Sequence, residues 1–265
     1  MVKFKAILRL LRYMIITLTT DFGDYYPGVM KGVILSINPE ACIVDITHSI
    51  EPQNVYQGAF LLYNAYRFFP KAVHVAVVDP EVGGERKAIA IETGNHIFIG
   101  PDNGILYPSA IESGIKRIWV IDKDKTSRIT GVLSSTFHGR DVFAPASAYA
   151  SINRLCEVAE PYEGKINELE LFDYKIRGDL IECRIIFVDR FGNAITNLKA
   201  EDVRAKRFYL KDVEFPLVEK YADVEVGQPL ALIGSFGTLE LSIRNGNLSK
   251  ELDLKSGKIR LRVIE

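Results

Sequence analysis

Asp79, Arg86 and His138 are the side chains of this sequence whose types and settings best suit chemistry on a small molecule. Asp79 and Arg86 bracket the segment Asp79-Pro-Glu-Val-Gly-Gly-Glu-Arg86, a loop short enough for the two charges to fold back on each other. The β-branched run 73–78 just before it reads as a buried strand. Asp79 therefore stands where a strand leaves its sheet, which is where open α/β sheets bind ligands. Gly83 and Gly84 let the backbone approach a ligand closely. His138 lies in Ser134-Ser-Thr-Phe-His-Gly-Arg-Asp141 at the start of a helix. There it either moves or donates a proton, or simply caps and packs. Arg140 and Asp141 beside it favour the first reading, or form an ion pair of their own.

Three further places offer polar groups on turns. Asp21 ends a strand, where a carboxylate suits ribose hydroxyls; it also suits an Asx turn or a helix cap. Asp189 and Asn193 share the tight turn DRFGN, where the amide can pair with an adenine edge or the pair can serve the turn alone. In IGSFGTLE two glycines surround Ser235 and Phe236 and Glu240 follows on a strand, either a plain hairpin or a loop whose Ser235 and Glu240 hold an amino acid's carboxylate and amine.

Other chemistries lose support. There is no GxGxxG after the first strand, no GxxxxGK[ST] and no GxSxG elbow. The four histidines and three cysteines show no HExxH or CxxC spacing, so the sequence gives no metal site. The 33 basic and 34 acidic residues give a net charge of −1, which leaves no electrostatic case for nucleic acid. No apolar run reaches the roughly 18–20 residues of a membrane span. Unpaired, scattered Cys42, Cys156 and Cys183 fit a reducing, cytoplasmic setting.

The elements that must position these groups alternate. Residues 14–20 read as a strand, 26–37 as a helix, and 41–46 as a second strand. A helix opened by Glu51-Pro52 runs to about 68 and precedes the strand 73–78. A hairpin spans 87–92 and 96–99, a short helix follows Asp102-Asn-Gly104, 117–121 is a strand, and 141–152 is a helix strained by Pro145. The acidic, mixed region 157–173 marks the way into the linker. Short strands then follow at 180–188, 207–210, 229–233, 239–243 and 258–264. The expected fold is α/β: a mostly parallel sheet flanked by helices over 14–160, a linker over 161–178, and a smaller all-β barrel domain over 179–265. Residues 1–13, MVKFKAILRLLRY, read as an extension or a membrane-surface contact and lack the apolar core of a signal peptide.

These motifs together resemble the S-adenosylmethionine (SAM) hydroxide adenosyltransferase family, the hydrolase relatives of the fluorinase and chlorinase. The resemblance is carried by LTTDFG (18–23), VDPEVGGER (78–86), PDNG (101–104), TFHGRD (136–141), DRFGNAITN (189–197) and GSFGTLELSIRNG (234–246). It spans the chain from Met14 onward and leaves out residues 1–13.

The resemblance implies a homotrimer with SAM bound between neighbouring subunits, and no cofactor or metal. It implies that Asp79, Arg86 and His138 position and activate water, and that Asp21 holds the ribose hydroxyls. Asp189 and Asn193 match positions that bind methionine and adenine, Ser235 and Glu240 the methionine loop, and Ile243 a backbone contact to adenine. Phe236 replaces an arginine of the fluorinating members. Gly139 stands where halogenating relatives place a halide-binding serine, so the expected nucleophile is water, attacking the ribose C5′ to give adenosine and methionine. The (R)-sulfonium epimer is a candidate substrate for a clean-up enzyme. A halogenase, or a non-catalytic binder of adenosine or SAM, is the alternative.

Overall fold

The computed structural model describes residues 14–132 and 134–264. The extension expected over 1–13 lies outside the described residues. The chain divides after Leu169 into two compact units, each with its own apolar core.

The first unit is built on a seven-stranded sheet of order β2-β1-β3-β5-β4-β6-β7. Its strands are β1 (Ile15–Thr20), β2 (Ile43–Thr47), β3 (Ala72–Val77), β4 (Ala88–Glu92), β5 (His96–Pro101), β6 (Arg117–Ile121) and β7 (Ala159–Tyr162). The half β2-β1-β3-β5 is parallel, and β4, β6 and β7 continue it antiparallel. The chain leaves β1 for β2 on one side and returns to β3 on the other, so a switch point lies between β1 and β3. The register sets Thr20 opposite Val77. Asp21 and the residues leading to Asp79 therefore emerge from neighbouring strands at one edge.

Strand alternation decides what each face of this sheet buries. Ile16 and Leu18 of β1 pack with Met30 and Ile34 of α1 (Tyr25–Ile37) and with the alanine-rich α5 (Ala144–Ser151). The intervening Thr17 instead meets His74 of β3, its hydroxyl 2.8 Å from Nδ1, and His74 Nε2 lies 3.1 Å from His96 Nδ1. The rings of Tyr66 and Phe98 close around the two imidazoles. Burial keeps His74 neutral and drives its pKa down to about 3.

Several expected boundaries shift for local reasons. The second helix, α2 (Val55–Ala65), does not take Pro52 into its first turn; Asn54 caps it by accepting the Gln57 N–H, and Gln53 before it adopts φ 65°. Helix α3 (Tyr107–Ser113) follows the Asn103-Gly104 turn as expected. Helix α4 (Lys123–Thr130) was not expected, because its polar sequence has no apolar stripe; Asp122 caps it by accepting two backbone N–H groups. Pro145 is the second residue of α5, within a helical run that is unbroken from His138. A π-helical turn, Gly139–Phe143, precedes it. Strand β7 falls within the acidic segment 157–173 and adds to the sheet edge.

The second unit is one antiparallel sheet whose path runs β12-β11-β15-β9-β10-β14-β13, with β8 paired to β9. Its strands are β8 (Lys175–Arg177), β9 (Leu180–Val188), β10 (Ala194–Lys199), β11 (Arg207–Leu210), β12 (Val213–Pro216), β13 (Pro229–Ile233), β14 (Thr238–Ile243) and β15 (Gly257–Ile264). A bridge between Leu217 and Ala231, with Val218 N donating to Ala231 O at 2.9 Å, draws the two end strands together into a nearly closed barrel. Strands β8, β10 and β12 were not read in the sequence; β8 and β12 are three and four residues long, and β10 (AITNLK) mixes polar with apolar residues.

The buried His74 gives the fold a pH dependence of definite sign. Its folded pKa is depressed, so its stabilisation is complete above the ordinary histidine value of about 6.5. It is lost as pH falls from there towards about 3. Urea denaturation across pH 7 to 4 should show the unfolding free energy falling by up to ~1.4 kcal/mol per pH unit from this residue. A His74→Phe variant should lose that share of the slope.

Candidate active site

Asp79 follows β3, and Arg86, seven residues on, returns to it. Arg86 Nε donates to both carboxylate oxygens at 3.0 Å, and Nη2 donates to Oδ2 as well. The same Nη2 lies 2.8 Å from His138 Nδ1. The three predicted residues thus form one bonded set, with the Asp79 and Arg86 side chains only 4% and 3% exposed. Arg86 also stacks over Phe143, its guanidinium carbon 5.4 Å from the ring centre. Its Nη1 is buried and has no hydrogen-bond partner among the described residues.

This geometry fixes a tautomer. An arginine has donors and no acceptor, so His138 Nδ1 must present a lone pair to Nη2. His138 is then neutral, with its proton on Nε2. Its pKa is lowered first by burial and next by the charges of Arg86 and Lys123, against the pull of Asp79 and Asp141. In this state His138 offers a donor at Nε2, and its basic nitrogen is already spent.

Two loops must meet to build the set, and one glycine makes it possible. Gly83 (φ 81°) passes so close to the next loop that an added Cβ would lie 2.3 Å from Ser135 O. Its closeness serves loop against loop, where the sequence suggested an approach to a ligand. The second loop is closed by buried Asp141, which accepts the Ser134 N–H at 2.7 Å and binds Arg140. The π-helical turn then carries His138 into α5, as π-bulges often do at functional sites. Gly139 is closely surrounded by side chains. A Cβ there would come within 2.9 Å of Phe22 and of Phe137, and within 3.2 Å of Met30 Sδ.

Asp21 heads the Asp21-Phe22-Gly23 turn. Its Oδ2 accepts the Gln53 N–H at 2.8 Å. Phe22 packs edge-to-face on Phe137, one residue before His138. The sequence reading missed Gln53 and Lys123, since neither stands in a recognisable motif. Lys123 opens α4, near enough to Arg86 for that charge, after burial, to lower its pKa.

In the barrel, Asp189, Asn193, Ser235, Glu240 and Ile243 line one cavity of about 1000 Å³. Asp189 serves its own turn: Oδ1 accepts the N–H groups of Phe191 and Asn193, and Oδ2 accepts from Asn193 Nδ2, all at 2.9 Å. Asn193 Oδ1 has no hydrogen bond among the described residues. Ser235 is exposed at the tip of the β13–β14 hairpin, beside Phe236, which packs on Phe187. Glu240 is buried, and its Oε1 accepts from Tyr221 and, at 2.9 Å, from Ser242. Its Oε2 lies against Gly234, where an added Cβ would be 2.7 Å away. Tyr221, also on the cavity wall, was missed because it stands outside the motif, 19 residues before Glu240. Two hydroxyl donors on Oε1 leave Oε2 as the oxygen available to a cationic group. Among the described residues no group of three or more His, Cys, Asp or Glu could hold a metal ion. No helix among them is long and apolar enough to cross a membrane.

Comparison with known proteins gives a consistent result. The SAM hydroxide adenosyltransferase N-terminal domain matches residues 16–159, and the corresponding C-terminal domain matches 183–260. The (R)-S-adenosyl-L-methionine hydrolase of Methanocaldococcus jannaschii is 42% identical over 259 residues, covering 91% of this chain and 92% of its own. A fluorinase of Actinopolyspora mzabensis is 26% identical, covering 92% and 95%. The crystal structure of an uncharacterized conserved protein from Thermotoga maritima superposes with a TM-score of 0.81 at 34% identity, covering 94% of this chain and all of that one.

The His138 assignment is open to direct measurement. Nitrogen-15 NMR should find Nε2 protonated and Nδ1 bare at pH 7, with titration below the ordinary histidine range. An Arg86→Gln variant should shift that titration upward, because one of the charges opposing protonation is removed. A protonated Nδ1 at pH 7 would show the assignment to be wrong.

Proposed function

The chain belongs to the SAM hydroxide adenosyltransferase family, and on that premise we propose that it hydrolyses SAM to adenosine and L-methionine, with the (R)-sulfonium epimer as its substrate. The observation that carries the reading is the bonded set Asp79–Arg86–His138 at the carboxyl edge of the sheet. The epimer is supported by the 42% identical relative, an (R)-S-adenosyl-L-methionine hydrolase.

In the proposed step a water oxygen bonds to the ribose C5′ while the C5′–S bond breaks. The electron pair of that bond leaves on sulfur, which becomes the neutral thioether of methionine, so the leaving group needs no acid. Positive charge passes from sulfur to the attacking oxygen, giving an oxonium far more acidic than a carboxylic acid. Even a carboxylate held by an arginine is base enough to take its proton. Asp79 is that base, because the lone pair of His138 is committed to Arg86. His138 Nε2–H and the spare Arg86 Nη1 donate to oxygen and hold the water in line. Alignment of this kind is worth up to roughly 7–11 kcal/mol, and a general base typically adds about 10²–10⁴-fold.

Asp21 holds the ribose hydroxyls with the carboxylate oxygen that Gln53 does not use. Asn193, on the turn that Asp189 shapes, and the backbone at Ile243 meet adenine. Ser235 takes the methionine carboxylate, and Glu240 Oε2 its ammonium. The step uses no cofactor. Gly139 argues for water over halide, since a serine side chain there would collide with Phe22 and Phe137. Asp79 further disfavours an anionic nucleophile. A homotrimer and a cytoplasmic location belong to the same proposal on the strength of the resemblance; light scattering at three chain masses checks the first.

The test is chromatography of products from a mixed-epimer SAM stock, at low and high chloride, beside Asp79→Ala. Adenosine and methionine should form with the (R) epimer consumed first, and the variant should lose at least about a hundredfold in rate. Faster use of the (S) epimer would overturn the epimer assignment. A chlorinated nucleoside would point to a halogenase, and adenosine binding without turnover to a binder.

A further inference from the structure

His48 belongs to none of the motifs above, yet it sits directly beneath the turn that carries Asp21. It follows β2 and is largely buried, with its side chain 13% exposed. Its Nδ1 lies 2.9 Å from the hydroxyl of Thr20, the fully buried last residue of β1. That hydroxyl also accepts the Phe22 N–H at 3.3 Å. The His48 carbonyl accepts the Gly23 N–H at 3.0 Å. Two successive amides of the Asp21-Phe22-Gly23 turn are thus satisfied by His48, one directly and one through Thr20. On its far side His48 Nε2 stands 3.1 Å from Asp45 Oδ1, within ion-pair reach though off the line of a hydrogen bond. Asp45 is in turn anchored by Lys31 of α1 at 2.5 Å.

The segment that begins at His48 also reaches Asp21 itself. Gln53 adopts φ 65°, an uncommon and mildly strained conformation for a residue with a side chain. In that conformation its N–H points at Asp21 Oδ2, while its carbonyl accepts from Val55 N at the start of α2. The turn is held by its backbone at His48 and by its carboxylate at Gln53. Strain of this sort persists where the surroundings over-determine it.

From this arrangement we infer that His48, backed by Asp45 and Lys31 and acting through Thr20, is a positioning residue that aims the Asp21 carboxylate at the ribose hydroxyls. The inference rests on the ribose reading of Asp21. It assigns His48 no contact with substrate and no part in proton transfer. A histidine that merely glued β2 to β1 would stabilise the fold without favouring any one ligand group. A positioning histidine must govern the recognition of the ribose hydroxyls in particular.

That difference sets the test: the affinities of adenosine and 2′-deoxyadenosine, measured by titration calorimetry on folded protein. Wild-type protein should bind adenosine at least about tenfold more tightly, the effect of one hydrogen bond to a charged group. In His48→Ala the ratio should fall to within about threefold, and Thr20→Val, which removes the relay hydroxyl at constant shape, should do the same. His48→Asn, whose amide reaches Thr20 much as Nδ1 does, should restore it. An unchanged ratio in both His48→Ala and Thr20→Val would overturn the inference. So would a drop in both affinities by one factor, which is what loosened structure gives. Asp21→Asn separates the two readings. If that variant abolishes the preference and His48→Ala does not, only the positioning role fails. If wild-type protein shows no preference, or Asp21→Asn keeps it, the ribose reading fails and takes this inference with it.

Discussion

The structure of the sheet edge depends on where one guanidinium sends its protons. Arg86 is buried, and a buried charge persists only when it is paired and hydrogen-bonded. It spends Nε and Nη2 on Asp79, shares Nη2 with His138 and lies over Phe143. Removing Asp79 would leave an uncompensated charge in the core. The requirement propagates outward. It asks the loop 79–86 to double back, which Gly83 permits by nearly touching Ser135. It asks the loop 134–138 to stand still, which buried Asp141 secures. It also sets the protonation of His138.

Around that centre, ordinary fold rules do the placing. Parallel β1 and β3 are adjacent and in register, so the residues following both strands emerge together at a switch point. The chain aims its carboxylates in two ways. Asp21 and Glu240 each have one oxygen engaged by the protein, Asp21 by a backbone N–H and Glu240 by two hydroxyls. In each case the other oxygen remains for a ligand group. Asp189 shows the opposite use, with its carboxylate turned inward to shape the loop that presents Asn193.

Much of this was legible in the sequence because the informative residues come in compact, chemically distinctive runs. Asp79 and Arg86 fall in one loop, and a β-branched run before an acid marks a strand end. The barrel strands β9, β13, β14 and β15 were readable from apolar runs between glycine and asparagine turns. What escaped depended on groups distant in the chain. The Arg86–His138 bond spans 52 residues, and Tyr221 meets Glu240 from 19 residues away. Helix α4 escaped because its polar sequence is fixed by the Asp122 cap. The start of α2 was misplaced because proline at 52 suggested a first turn, whereas Asn54 caps the helix after Gln53 takes a positive φ. The closeness of Gly83 was foreseen, but its target was not, since a sequence does not say which loop lies opposite.

The central claim is that His138 donates and Asp79 accepts. Single-turnover hydrolysis of SAM by His138→Gln, His138→Ala and Asp79→Asn tests it most directly. Glutamine keeps an N–H near the position of Nε2 and has no basic nitrogen. A donor role predicts that His138→Gln stays within about tenfold of wild type, while Asp79→Asn loses the ~10²–10⁴-fold typical of a general base. His138→Gln as inactive as His138→Ala, with Asp79→Asn still turning over, would contradict the account and make the histidine the base.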